Sequence, residues 1–128
     1  MIPTIKEFMV VALGGAFGAS MRFALSMWIQ GVSKHKDFPW GIFTVNILGC
    51  LLIGIVAGVL TKYVMISPLW RAGIIIGVLG GFTTFSSFSL DTITLLRMGD
   101  QFSAFLYVAL SVAFCIIATA GGLMKLVT

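Results

Sequence analysis

Long apolar runs separated by short polar stretches dominate this chain, and Lys and Arg stand mainly near the ends of the runs. An α-helix needs about 20 apolar residues to cross the hydrocarbon core of a membrane, and each run is close to that length. The first run is long enough only if its helix continues past Arg22. The pattern predicts an all-α integral membrane protein whose single domain, residues 1–128, contains four transmembrane helices near 4–31, 40–62, 69–98 and 101–126.

The composition agrees with spanning helices, because 59% of the residues are hydrophobic and only 9% are charged. Ordinary soluble domains carry about 25% charged residues. The loops are too short for a separate domain, so we expect the function to lie within the bilayer. The first run lacks a clear signal-peptide cleavage site and is interpreted as a helix of the mature protein. The net charge of +4, spread over short loops, favours membrane lipid as a partner over nucleic acid.

The basic residues are divided almost evenly between the two sides of the membrane. Orientation normally follows an excess of Lys and Arg on the cytoplasmic side, and no clear excess exists here. Such a chain can insert in both directions, and two opposed copies can then pair, although an even balance also arises by chance. One side would hold Lys6, Lys62, Arg71 and Lys125, and the other Lys34, Lys36, Arg97 and, if it faces that way, Arg22.

The third run is interrupted by the sequence GGFTTFSSFSLD at residues 80–91. Two glycines, two threonines and paired serines between phenylalanines stand where the other runs are apolar. Non-helical backbone at membrane depth is tolerated only where protein or a water-filled cavity satisfies its polar groups. Such breaks expose carbonyl and amide groups that bind ions. The sequence therefore predicts a break in helix 3 and a protein that binds or conducts a small ion.

Two aromatic residues in this segment, Phe85 and Phe88, are three apart and share a helical face. Phenylalanine in a membrane helix usually contacts lipid or the core, but hydroxyls surround these rings. The rim of an aromatic ring carries partial positive charge, so a ring presented edge-on can meet an anion. Helix 4 adds a polar stripe on one face, which indicates a pore lining unless its hydroxyls bond carbonyls one turn back. The stripe consists of Tyr107, Ser111, Cys115 and Thr119.

Other polar positions within the spans have more than one interpretation. Asn46 either joins two helices through a hydrogen bond or offers a donor to an anion path. Arg22 either faces a vestibule as a cation or extends to the membrane surface. Cys50 and Cys115 have no metal-ligand spacing and are expected to pack as small apolar side chains.

Three motifs resemble those of the Fluc family of bacterial fluoride channels, in the same order and along almost the whole chain. They are GGAFGASMRF at 14–23, TVNILGCLLIG at 44–54 and the highly specific GGFTTFSSFS at 80–89. The resemblance implies an antiparallel, dual-topology homodimer with two pores in the bacterial cytoplasmic (inner) membrane. It also implies a channel, and not an enzyme, that exports cytoplasmic fluoride passively.

The resemblance further implies roles for individual residues. A structural sodium ion (Na+) would lie at the dimer centre, held by the backbone carbonyls of Gly80 and Thr83. Family members often have glutamate where this chain has Asp91, and some have serine at the position of Cys115. The anion pathway would contain Asn46, Phe85, Phe88, Ser86, Ser87, Tyr107, Ser111, Thr119 and Arg22.

The main alternative function is that of a small multidrug exporter, which also has four helices and exchanges protons for a cationic drug. Such an exporter needs a carboxylate deep in helix 1, whereas Glu7 stands near the helix start and the deeper charge is Arg22. A scaffold protein without transport would explain the glycine spacings but not the hydroxyls and phenylalanines around a break. An integral membrane enzyme is disfavoured, because no nucleophile–base pair or metal cluster appears in the sequence.

Overall fold

The structure, a computed structural model, describes residues 2–62 and 66–127, and all regular elements within these ranges are helical. Four helical spans are long and apolar enough to cross a membrane, and the third of them is Pro68–Arg97. The prediction of an all-helical membrane protein with four spanning helices is therefore confirmed. The elements are α1 (Ile5–Val32), α2 (Trp40–Lys62), α3 (68–82), α4 (Phe85–Arg97) and α5 (Gln101–Val127), with α3 and α4 together forming the third span.

Polar caps define where α1 and α5 begin. The Thr4 hydroxyl accepts a hydrogen bond from the Glu7 N–H, and the Glu7 carboxylate accepts one from the Thr4 N–H at 2.6 Å. Such a capping box satisfies backbone donors that the first turn leaves unpaired. Before α5, Gly99 adopts a positive φ of 83° and the Asp100 carboxylate accepts from the Ser103 N–H at 3.0 Å. Hydrogen bonds from Ser103 lower the pKa of the Asp100 carboxyl below its ordinary value.

Glycines allow α1 and α3 to approach so closely that their backbones touch. A Cβ atom at Gly18 would collide with the carbonyl oxygen of Val78. A Cβ atom at Gly81 would lie 2.8 Å from the carbonyl oxygen of Gly15, which also requires one partner to shift. The glycines of α1 therefore serve helix packing, as small residues at such spacings commonly do in membranes.

The helices α2 and α5 form a second close pair. A Cβ atom at Gly54 would collide with the carbonyl oxygen of Thr119, and one at Gly122 would lie 2.9 Å from the carbonyl oxygen of Leu51. The Thr119 hydroxyl donates to the carbonyl of Cys50 at 2.9 Å. This contact across the pair fixes the register between α2 and α5.

An aromatic core lies where α2, α4 and α5 meet. Tyr107 is completely buried at its centre, with its ring centroid 5.1 Å from that of Phe88 and 6.4 Å from that of Phe43. The outer surface of α1, in contrast, exposes large apolar side chains, among them Phe8 and Phe17. Surfaces of this kind are covered by lipid or by another chain, as expected for a spanning helix.

The break in the third span is shorter than the sequence predicts. Gly80–Phe82 remains helical, and only Thr83 and Thr84 take extended conformations, with ψ of 155° and 121°. Gly81 instead packs against α1, and β-branched threonine favours extended backbone. Before the break, Ala72–Leu79 winds as a π-helix, a rare form that often accompanies functional sites.

Candidate functional site

The Asn46 side chain on α2 pairs with both backbone polar groups of Thr84. Its Oδ1 accepts from the Thr84 N–H at 2.8 Å, and its Nδ2 donates to the Thr84 carbonyl at 3.0 Å. A peptide unit at membrane depth needs such a partner, because lipid offers none. Of the two interpretations of Asn46, the interhelical bond is therefore present. It braces the break against α2.

Thr84 also begins the next helix. Its hydroxyl accepts from the Ser87 N–H at 3.1 Å, as an N-capping threonine does, and lies 3.1 Å from the Ser86 hydroxyl. The adjacent Thr83 hydroxyl donates to the Leu79 carbonyl at 3.2 Å. The threonines thus terminate one helix and start another within two residues.

The break diverts two N–H groups from the carbonyls that they would reach in a continuous helix. In a continuous helix the Thr84 N–H would donate to the Gly80 carbonyl, but here it donates to Oδ1 of Asn46. The Ser87 N–H would likewise donate to the Thr83 carbonyl, but here it donates to the Thr84 hydroxyl. The carbonyl oxygens of Gly80 and Thr83 are thereby released from these bonds, and unwound carbonyls of this kind coordinate sodium in other membrane proteins.

A third carbonyl at the break, that of Gly81, receives a positively charged donor. Nη1 of Arg22 on α1 donates to it at 3.1 Å. In a continuous helix, the Phe85 N–H would be the partner of this carbonyl. A cation at the C-terminal end of a helix is favourable, because the last carbonyls carry partial negative charge. Arg22 therefore contacts the break directly, a position that neither of its two interpretations included.

A cavity of about 250 Å³ lies beside the break, between α2, α4 and α5. The rings of Phe85 and Phe88 border it with centroids 5.4 Å apart and an interplanar angle of 54°. The structure thus brings Asn46, both phenylalanines and Ser111 to one space. The complete lining consists of Asn46, Cys50, Thr83, Thr84, Phe85, Phe88, Ser111, Val112 and Cys115.

The Ser111 hydroxyl is the notable polar group of this cavity. The residue is 6% exposed, and its Oγ has no hydrogen-bond partner among the residues that the structure describes. Serine hydroxyls in helices often bond the carbonyl one turn back, but the Ser111 hydroxyl does not. A buried hydroxyl left unpaired costs about 1–3 kcal/mol, and such groups call for a functional explanation or a bound partner. Ser111 is consequently a donor available to an occupant of the cavity.

The other hydroxyls of the predicted polar stripe, which lies on α5, have protein partners. The Tyr107 hydroxyl donates to the Asp91 carboxylate at 3.2 Å, and the Thr119 hydroxyl donates to the Cys50 carbonyl. Both residues lie outside the cavity lining, whereas Cys115 belongs to it. The stripe therefore faces α2 and α4, and only its middle residues, Ser111 and Cys115, reach the cavity.

A second cavity of about 370 Å³ lies toward the loop between α1 and α2. Ser87 and Asp91 border it from α4, and Gln30 and Lys36 border it from α1 and the loop. The remaining predicted site residues, Ser86 and Gly80, are exposed on the surface of the single chain.

Besides the contact of Arg22 with the break, sequence reasoning missed two further features of the site. The first is the central position of Thr84. The sequence does contain a signal for it, because a threonine directly before a helix commonly caps the N–H three residues later, here that of Ser87. The second is the bond between Tyr107 and Asp91, which joins residues 16 apart in different helices and has no local signal.

Comparisons with known proteins agree with the motifs. A family model described as CrcB-like protein, Camphor Resistance (CrcB), matches residues 9–123. A curated protein of Erythrobacter litoralis is 43% identical over 96% of this chain and 93% of its own length. One of Methylobacillus flagellatus is 47% identical over 83% of each chain, and one of Azotobacter vinelandii is 48% identical over 91% and 93%. All three relatives are named fluoride-specific ion channel FluC. The predicted resemblance is confirmed, and the chain belongs to the CrcB-like family of these proteins.

Proposed function

We propose that this protein is a fluoride-selective channel that releases cytoplasmic fluoride passively across a bacterial inner membrane. The names of its relatives support the ion, and the four spanning helices support a multi-pass membrane location. The observation that carries the proposal for this chain is the buried, unpaired hydroxyl of Ser111 in a cavity bordered by Phe85 and Phe88.

The cavity offers fluoride a set of weak contacts in place of its water. Fluoride is small and strongly hydrated, so a pore must replace water by donors that hold the ion loosely enough to release it. The Ser111 hydroxyl is one donor, and the Asn46 amide has a second N–H beyond the one that binds Thr84. The edges of the Phe85 and Phe88 rings supply partial positive charge without a full cation.

The other predicted pathway residues have supporting roles in this proposal. Ser87 lines the second cavity, which Lys36 and the carboxylates of Asp37 and Asp91 also border, and would continue the route toward the membrane surface. Tyr107 packs against Phe88 and holds its ring in place. Thr119 fixes α5 against α2. Arg22 places a positive charge at the break, and its guanidinium donates to the Gly81 carbonyl, so this donor is not directed at a passing anion.

A second copy in the opposite orientation would complete the site. Phe85 is 79% exposed in the single chain, and Ser86 and Gly80 beside it are also exposed. A polar, interrupted segment facing lipid is unfavourable, because its backbone groups would lack partners. The even division of Lys and Arg between the two sides permits insertion in both directions. We therefore propose an antiparallel homodimer with two pores.

A sodium ion is proposed where the two breaks would meet. The carbonyl oxygens of Gly80 and Thr83 fit such an ion, because the break diverts the N–H groups that would otherwise bond to them. When bound, sodium would supply a fixed positive charge that favours anions nearby. Replacing sodium in the buffer by a large organic cation is expected to lower the melting temperature, and an unchanged melting temperature would contradict a structural sodium.

A multidrug exporter is the main alternative function, but the carboxylate that it would use, Glu7, has a different role in the structure. The Glu7 carboxylate caps α1 at the exposed start of the helix, so it is not placed for proton exchange deep in the membrane. Expression in cells without a fluoride exporter is expected to restore growth in fluoride and leave sensitivity to a quaternary ammonium biocide unchanged. Resistance to the biocide without resistance to fluoride would favour the exporter.

A further inference from the structure

The two cysteines of the chain both border the first cavity. Cys50 on α2 and Cys115 on α5 both line it, and both are half-buried free thiols. Thr119 stands one turn after Cys115 on α5 and its hydroxyl reaches the Cys50 carbonyl, so the two cysteines lie at a similar level of the helix pair. The hydrogen bond from Thr119 to the Cys50 carbonyl holds the two helices in this register. The sequence predicts only that each thiol packs as a small apolar group, so their pairing is a property of the fold.

The cysteines stand one turn from the groups that would contact the anion. Cys50 follows Asn46 by four residues on α2, and Cys115 follows Ser111 by four residues on α5. Residues four apart lie on the same face of a helix. An atom held between the two sulfurs would therefore occupy the space next to the Asn46 amide and the Ser111 hydroxyl.

Two thiols without further ligands select a particular class of metal ion. Thiolates bind soft metals, and among the described residues no group of three or more His, Cys, Asp and Glu could complete a larger coordination shell. Zinc prefers four ligands, whereas Hg(II), Ag(I) and Cu(I) accept two in a linear arrangement. Hg(II) between two thiolates is neutral, but Ag(I) or Cu(I) would leave one negative charge, which is costly in an apolar site.

We propose that Cys50 and Cys115 form a two-thiolate site for Hg(II), and that its occupancy closes the anion cavity. The two S–H bonds break and two S–Hg bonds form, while Hg(II) loses two of its water or chloride ligands and two protons leave to solvent, without any change of oxidation state. The site itself depends only on the thiol pair. The closure rests on the proposed function, because it assumes that fluoride passes through this cavity.

The binding test uses purified full-length protein in detergent, mercuric chloride, and a monothiol competitor. Native mass spectrometry should show one mercury per wild-type chain that survives the competitor. Because two linked contacts bind about 10²- to 10⁴-fold more tightly than one, Cys50→Ser and Cys115→Ser should each lose it at a lower competitor concentration. A single variant that retains mercury as strongly as the wild type, or a wild type that does not retain it, would overturn the site. Unchanged melting temperatures establish that the variants are folded.

The closure test measures fluoride release from vesicles before and after mercuric chloride. Wild-type release should stop and return after a dithiol removes the metal, whereas the variant with both substitutions should keep its own initial rate. Wild-type release that continues with mercury bound would refute closure. Absence of fluoride release before any mercury is added would refute the proposed function instead, while the binding test would still decide the site.

Discussion

The pairing of Asn46 with Thr84 leads to a quantitative prediction for Asn46→Leu. Leucine has the same branching of heavy atoms as asparagine, with larger methyl groups in place of the amide, and can neither donate nor accept a hydrogen bond. The substitution removes the partners of the Thr84 N–H and of the Thr84 carbonyl, which lie 2.8 and 3.0 Å from the amide. Thr84 is only 9% exposed, so few other partners can reach its backbone groups.

The expected loss of stability follows from the two groups left without partners. Each buried polar group that loses its partner costs about 1–3 kcal/mol, which gives about 2–6 kcal/mol for both. Hydrogen bonds between membrane helices average about 0.6 kcal/mol, so two average bonds, about 1.2 kcal/mol together, mark the lower end of the expected range. We expect a value above this lower end, because the extended backbone at Thr83 and Thr84 offers no helical partner in exchange.

The free energy of unfolding should be measured by titration with a denaturing detergent. A matched control is Thr61→Val, since the Thr61 hydroxyl bonds the Ala57 carbonyl within its own helix at 2.8 Å. This control should change stability by about 0.5 kcal/mol or less, as surface substitutions do. If Asn46→Leu were as stable as Thr61→Val, the break would not depend on α2, and the reasoning would be refuted.

Three further predictions concern the rings, the helix packing and the loop carboxylate. Phe85→Ile and Phe88→Ile should both reduce fluoride flux, and Phe88→Ile should also lower the melting temperature, because Phe88 is only 9% exposed within its own chain; an unchanged melting temperature of Phe88→Ile would contradict this. Gly54→Ala should destabilise by about 1–3 kcal/mol through overpacking, whereas Gly121→Ala, with open space around its Cβ, should not; the same unfolding titration compares them. The pH-dependent part of the stabilisation from Asp100 should be complete above its ordinary pKa of 3.8 and be lost as the pH falls through its lowered pKa, so the stability deficit of Asp100→Ala should become smaller in strong acid; a constant difference at all pH values would count against it.

Features encoded in local sequence could be predicted, and these include the spans and the neighbourhood of the break. Hydropathy alone predicts four spanning helices, because the bilayer requires long apolar runs. The spacing of Phe85 and Phe88 places the two rings together, as their 5.4 Å separation shows. The extent of the break was predicted less well. Glycine suggests irregular backbone, yet Gly81 stays helical because it packs against Gly15 of α1.

Pairings between distant residues could not be predicted from the pattern. Asn46 and Thr84 are 38 residues apart, and Arg22 and Gly81 are 59 apart. No local periodicity relates such positions, so an interhelical bond and a pathway donor were equally compatible with Asn46. The unpaired hydroxyl of Ser111 likewise depends on what the neighbouring helices leave without a partner. These contacts arise from helix packing, which determines the candidate site more closely than the motifs do.

The central claim, that the cavity beside the break passes fluoride, is tested most directly by ion release from vesicles containing the purified protein. A fluoride electrode and a chloride electrode should record release in parallel, with Phe85→Ile as the comparison. We predict rapid fluoride release by the wild type, retention of chloride, and fluoride release by Phe85→Ile close to that of empty vesicles. Chloride release as rapid as that of fluoride, or undiminished fluoride release by the variant, would contradict the account.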